Sequence, residues 1–463
     1  MVFLVLKRVG PRQFSNRQSN DRYAPIAVIT RATIVAPHVL KIIYISPSFL
    51  HNTGYICAQL DISLEAHRCI TKMRTSLEQD PPKWRDAYVV PKTMLQVCGI
   101  WPTRHTSNLT TMFRILFFAV SLVFDMTILV ELKILITSKD YEALSTHLST
   151  LGLYIGYTIA IMIFKGQERK FTQLLDTLEA PIFDDFPSNL VTFKTECISL
   201  SNGISTFYIS CVAASITLYL NRPLYTEFSL PISFSFDISA LEFYMLLALQ
   251  IFSVFYLVMT GICFNMLNIS LINVASAQLD ILGETVSSFL FKRHPNFEEM
   301  EKVHLIKCAK KHVAVIRFVD QIEEVFTYIC MTRCLSSIVS ICNGVFQLTH
   351  TGNLYSVAFL FNIAFVFDVL FEIGIYCWFA GLLTIKSLAV ADACYNYNWL
   401  LSSENNKKLL LIVLTRSQKP LFTTAGKFAR LSMASFLSVL KTAYSYFALM
   451  QSLYERNEFE ECL

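Results

Sequence analysis

The sequence predicts an all-α membrane protein of seven transmembrane helices, with a cytoplasmic N-terminus and an extracellular C-terminus. Composition is the first of three observations behind this: of 463 residues, 54% are hydrophobic and only 16% charged, and the mean hydropathy of +0.47 is far too high for a soluble chain. The second is that apolar stretches long enough to cross a bilayer occur at about 112–136, 147–164, 204–220, 243–267, 325–346, 355–383 and 428–453. The third is that Lys and Arg crowd alternate connections.

Those cations set the orientation, because translocating them across a membrane is disfavoured. Arg74, Lys83, Arg85, Lys92 and Arg104 precede the first span, and Lys165, Arg169, Lys170 and Lys194 lie between the second and third. Lys292, Arg293, Lys302, Lys307, Lys310, Lys311 and Arg317 fill the fourth-to-fifth connection, and Lys386, Lys407, Lys408, Arg416 and Lys419 follow the sixth span. The other side has little beyond Lys139, Arg222 and Arg456.

Along the chain, residues 1–72 do not match the rest. Their apolar run at 26–44 is interrupted by Arg31, Pro37, His38 and Lys41, and Met73 opens a plausible start. Residues 1–72 are therefore expected to be a non-native or disordered extension, and 73–463 the seven-helix domain. The long charged connection at about 277–324 carries helical periodicity in Leu305, Cys308, Val313, Ile316 and Val319, so it is expected to extend the flanking helices into the cytoplasm. The run Leu409 to Leu414 is too short to span, and Pro420 and Gly426 punctuate the chain after it. The last span, from Phe428 to Leu453, is unusual. A stripe at steps of four and three runs Leu431, Ser435, Ser438, Thr442, Ser445 and Leu449, closed by Ser452 and Leu453, and suits a helix turned toward protein or a water-filled path.

Several readings are excluded. Seven spans invite comparison with G-protein-coupled receptors, but their N-termini lie outside; here Asp21-Arg22-Tyr23 lies upstream of any span, and the seventh span has no Asn-Pro-x-x-Tyr. The thirteen cysteines form no Cys-x-x-Cys pair, and those within spans read as small apolar packing residues. The sequons at Asn108 and Asn268 fall on or near the inner side, away from glycosylation. No phosphate-binding loop, zinc spacing or nucleophile elbow is present, so the expectation is no enzyme, no cofactor and no metal. The basic loops follow from topology, which leaves no reason to invoke nucleic acid.

From Met73 onward the residues resemble an insect odorant receptor, most like those of ants, bees and wasps. The resemblance rests on Gly99-Ile-Trp-Pro102, His312, Ile316-Arg-Phe-Val-Asp320, Tyr395, Trp399, Gln418-Lys-Pro420, Ala425-Gly-Lys-Phe428 and, most specifically, Leu440-Lys-Thr-Ala-Tyr-Ser-Tyr-Phe447. It implies a tuning subunit of a ligand-gated, non-selective cation channel, assembled as a tetramer with the shared odorant co-receptor in the plasma membrane of olfactory sensory neurons. The ligand it implies is small and volatile or hydrocarbon-like. By matching of the terminal motif, Leu449 and Leu453 fall at the family's hydrophobic gate, where an apolar constriction blocks ions by dewetting.

The family's odorant site lies among the second, third, fourth and sixth spans. Here that region offers Tyr154 and Tyr157, then Phe207, Tyr208 and Cys211, then Tyr244, Gln250 and Phe252: aromatic walls with a few polar groups, suited to an apolar ligand oriented by one or two hydrogen bonds. Asp125, Glu131, Arg333, Asp368, Glu372 and Lys441 lie within spans and are costly in lipid, so they should face protein or water. Arg333 and Asp368 are the expected ion pair. A gustatory receptor shares the fold, but its terminal Thr-Tyr and Gln-Phe are answered here by Ser445-Tyr446 and Ser452-Leu453. A secondary transporter is disfavoured by the odd span count and the missing internal repeat.

Overall fold

The computed structural model describes residues 82–102, 108–138, 141–220, 240–289, 296–350 and 357–461. Residues 1–72, the expected extension, and Met73 lie outside them. The helices are α1 (Val89–Val97), α2 (Asn108–Ser138), α3 (Tyr141–Gly166), α4 (Glu168–Leu178), α5 (Val191–Leu220), α6 (Ala240–Ser287), α7 (Phe297–His350), α8 (Val357–Tyr395), α9 (Glu404–Ser417) and α10 (Met433–Glu461). A two-stranded antiparallel hairpin, β1 (Thr424–Ala425) with β2 (Ala429–Arg430), is placed just before α10.

Helices α2, α3, α5, α6, α7, α8 and α10 coincide with the seven apolar stretches. Among the described residues, five helices are long and apolar enough to cross a membrane: Arg114–Thr137, Ser188–Tyr219, Met245–Ser287, Phe297–Thr349 and Phe359–Tyr395. Thr150–Gly166 is a shorter apolar helix. The last helix, α10, is long enough but too polar to join the five, as its Ser, Thr and Lys content dictates.

Helices α6 and α7 form the centre. Each is far longer than a bilayer requires: the 54 residues of α7 extend about 80 Å at about 1.5 Å per residue, against about 30 Å of hydrocarbon. The expected helical extension of the fourth-to-fifth connection is thus present. From Tyr256 to Leu279 every residue of α6 is buried, and there Asn265, Asn268, Asn273 and Gln278 donate to Glu372, Tyr376, the Cys197 carbonyl and the Phe183 carbonyl of neighbouring segments. Helix α3 packs on α7, α8 on α6, and α5 on both α6 and α8, while α2 lies at the periphery against α3 and α6. Helix α10 rests on α7 and α8 through a small separate cluster of Ile341, Val369 and Ala443.

Two further regions are fastened into the bundle. The Gly99-Ile-Trp-Pro segment is a core plug: Trp101 is buried, stacked on Tyr88 at 6.2 Å and edge-on to Phe171 at 5.3 Å, and its carbonyl accepts from Arg114. At the start of α7, the fully buried Glu301 accepts from Tyr397 Oη (2.9 Å), Ser402 Oγ and Asn406 Nδ2 (2.7 Å), fastening α7 to the α8–α9 connection and to α9. Helix α9 contains the 409–414 run, with Leu410 and Val413 buried and Leu411 and Ile412 exposed.

One expectation is corrected here. The final helix does not begin at Phe428. Gly426 and Lys427 adopt left-handed φ of 66° and 68°, which closes the β1–β2 turn, so Phe428 to Leu431 leave the helix and it starts at Met433. The turn is pinned to α7. Glu323 accepts from the Thr424 amide (2.8 Å) and hydroxyl, Thr327 O accepts from Gly426 N (2.9 Å), and Leu431 N donates to Thr423 O (3.0 Å). Leu431, expected on the stripe, is instead buried.

Candidate functional site

The buried polar groups of five helices converge where α8 crosses α5, α6 and α7. Asp368, Glu372 and Tyr376 follow one another at four-residue steps, so they line one face of α8. Glu372 is the hub. Arg333 on α7 engages it bidentately, Nε to Oε1 at 2.7 Å and Nη2 to Oε2 at 2.6 Å, while Tyr208 Oη on α5 donates to Oε2 at 3.0 Å and Asn265 Nδ2 on α6 donates to Oε1. All four side chains are buried. An ion pair this far from water is tolerable only with such geometry, since losing one partner leaves an uncompensated charge.

The expected Arg333–Asp368 pair is therefore replaced by Arg333–Glu372. Asp368 sits one turn earlier on α8, where it accepts from Ser215 Oγ of α5, and the longer Glu side chain reaches the guanidinium fork side-on. Asp368 and Glu372 were legible in the sequence as charges too costly to face lipid; which of them meets Arg333 was not, because one turn of offset depends on how α7 and α8 are docked.

Tyr157 on α3 covers the guanidinium, with Arg333 Cζ 4.2 Å from its ring centroid. Its ring lies so close to α6 that a Cβ on Gly261 would fall 1.7 Å from Tyr157 Cδ1. Glycine at 261 is what admits the tyrosine. Below this level Tyr376 Oη accepts from Asn268 Nδ2 and from Cys330 Sγ at 3.2 Å.

The eight wall residues divide into groups. Tyr157 and Tyr208 join the Glu372 cluster. Phe207 and Cys211, both half-buried, neighbour Tyr208 on α5, and the rings of Phe207 and Tyr208 lie 5.6 and 5.4 Å from Phe371. Tyr154 is buried beside Phe124 of α2 at 5.5 Å. Phe252 turns toward α2, edge-on to Phe117 at 4.9 Å, and Gln250 is fully buried on the same helix. The side chain of Tyr244 lies outside the described residues. What the sequence reading missed is the role of Glu372, Asn265 and Phe371 in organising these groups.

On α10, Leu449 and Leu453 are 55% and 50% exposed in the single chain, as are much of Ser438, Lys441 and Ser445. The packed face carries Ala443, Met450 (Cys342 Sγ to Sδ, 3.5 Å) and Tyr454 (5.7 Å from Phe346). At about 100° per residue the Ser438, Thr442, Ser445, Leu449 and Leu453 stripe lies about 120° round the helix from that face. Its hydroxyls are satisfied locally: Thr442 donates to Ser438 O (2.9 Å), Ser445 to Lys441 O (3.0 Å) and Ser452 to Leu449 O (2.8 Å). Such a face neither demands nor excludes water.

Comparison with known proteins fits this architecture. The family model described as "7tm Odorant receptor" matches residues 143–444. Odorant receptor 10 of Aedes albopictus is 28% identical over 152 residues, 33% of this chain and 40% of that protein. Odorant receptor Or2 of Anopheles gambiae is 26% identical over 150 residues, 32% and 39% of the two. The chain thus spans about two-fifths of the length of these relatives. The olfactory receptor OR5 of Machilis hrabei, solved in complex with eugenol, shares the fold with a TM-score of 0.66 at 15% identity, covering 78% of this chain and 97% of that one. With most of its helical body matched, α3 into α10, this multi-pass membrane chain belongs to the insect 7tm odorant receptor family.

Proposed function

We propose that the chain is the tuning subunit of a ligand-gated, non-selective cation channel, working with the shared odorant co-receptor in the plasma membrane of olfactory sensory neurons. In this reading the N-terminus is cytoplasmic, the C-terminus extracellular, and residues 1–72 are an extension to a seven-helix domain at 73–463. A small volatile or hydrocarbon-like ligand sits among α3, α5, α6 and α8, against Tyr154, Tyr157, Phe207, Tyr208, Cys211, Tyr244, Gln250 and Phe252. That the Machilis receptor takes eugenol agrees with a ligand of this size.

The observation that carries the reading is α10. A helix long enough to span, yet too polar to face lipid all round, leaves its Ser/Thr stripe and Leu449 and Leu453 uncovered by its own chain. An assembly around a central axis gives that stripe a wetted neighbour, with the two leucines as a dewetting constriction near the outer end. Co-expression with and without the co-receptor, with currents recorded across an odorant panel, tests this. Odorant-evoked cation current is expected only with the co-receptor, and Leu449→Ala with Leu453→Ala should raise current in the absence of odorant. Flux of a substrate without channel current would instead favour a transporter.

A further inference from the structure

The stretch of α8 from Asp368 to Cys377 has two occupied faces. One carries Asp368, Glu372 and Tyr376, joined to Ser215 and Tyr208 of α5, Asn265 and Asn268 of α6, and Arg333 of α7. The other meets α10. A Cβ on Gly374 would lie 3.8 Å from the Phe436 ring, Cys377 lies beside the backbone of Ser432 and Phe436, and Val369 joins Ala443 in the second apolar cluster. The same three turns therefore touch the proposed ligand wall on one side and the first turns of the proposed pore helix on the other.

We propose that Glu372 is a positioning residue for gating: through the Tyr208 hydroxyl it senses displacement of α5, and through the rigid α8 segment it passes that displacement to Phe436 at the base of α10. This rests on the channel reading above.

Three features favour a two-position device over passive packing. First, the carboxylate takes donors from three different helices, so α5 cannot shift without stretching the Tyr208 bond or dragging α8 against the Arg333 fork. Second, Phe207 and Tyr208 both press on Phe371, the residue immediately before Glu372, so a ligand seated against Phe207 acts on the same turn of α8. Third, a buried pair that costs heavily when half-broken has few intermediate arrangements, which makes movement stepwise. Coupling through such an element is a free-energy difference between two states that both ends bias.

Tyr208→Phe removes only the hydroxyl and leaves the ring on Phe371. In the full-length chain co-expressed with the co-receptor, we expect it to shift the half-activating odorant concentration by about fivefold or more, with surface amount unchanged. Phe436→Leu, at the other end of the route, should shift it too, and the two shifts should be non-additive in the double variant. Glu372→Gln should abolish the effect of Tyr208→Phe wherever it reaches the surface; where it does not, the Tyr208/Phe436 cycle decides alone. A direct ligand contact by the Tyr208 hydroxyl gives shifts that simply add, which overturns the proposal, as does a Tyr208→Phe receptor within twofold of wild type. Absence of odorant-evoked current from the wild type overturns the channel reading and this coupling together.

Discussion

At the scale of single residues, burial decides what each polar group can do. Gly261 has no chemistry of its own, yet the Tyr157 ring occupies the space a Cβ would need. Gly261→Ala should destabilise the bundle by about 1–3 kcal/mol or more through overpacking, read as a lower unfolding temperature of the detergent-solubilised receptor. His312, part of the motif that carried the family resemblance, is buried on the N-terminal part of α7, and burial together with Arg416 pushes it down from 6.5 to about 4. Between those values the unfolded chain binds a proton that the folded one does not, so stability falls as the pH drops from 6.5 toward about 4 and is unaffected above 6.5. Thermal unfolding at pH 7 and pH 5 should show a drop that His312→Gln reduces. Both residues were visible as letters, and the sequence even singled out His312. Neither the ring above Gly261 nor the guanidinium near His312 was visible, because each comes from a helix distant in the chain.

At the scale of elements, the sequence located the helices well and their ends less well. The apolar stretches coincide with α2, α3, α5, α6, α7, α8 and α10, since a run of apolar side chains longer than a bilayer has few alternatives to helix. Where an end is set by tertiary bonds, the reading slipped. Phe428 to Leu431 have the composition of a helix, but Glu323 and Thr327 of α7 hold the preceding turn in a left-handed pair, and α10 starts five residues later than expected. Gly426→Ala imposes strain at φ 66° and brings a Cβ to 2.6 Å from Met331 Sδ. It should cost about 1–2 kcal/mol and loosen the hairpin that positions α10, seen as faster amide exchange at 424–431 with the α6 core unaffected.

At the scale of the whole molecule, the charge of the loops predicts the orientation. A tag at the N-terminus should be accessible only after permeabilising the cell, and one at the C-terminus in intact cells. The reverse labelling would overturn the orientation and with it the outer placement of Leu449 and Leu453. By itself the sequence determined the membrane class, the positions of the apolar helices and the anomalous polarity of the last one, because composition and periodicity are local and bilayer thickness is fixed. The tertiary structure alone decided that Arg333 meets Glu372 and not Asp368, that Gly261 makes room for Tyr157, and that the Ser/Thr stripe of α10 points away from its own bundle. Those outcomes depend on the docking offset between helices, and an offset of one turn, about 5.4 Å, leaves no trace in the spacing of any single segment.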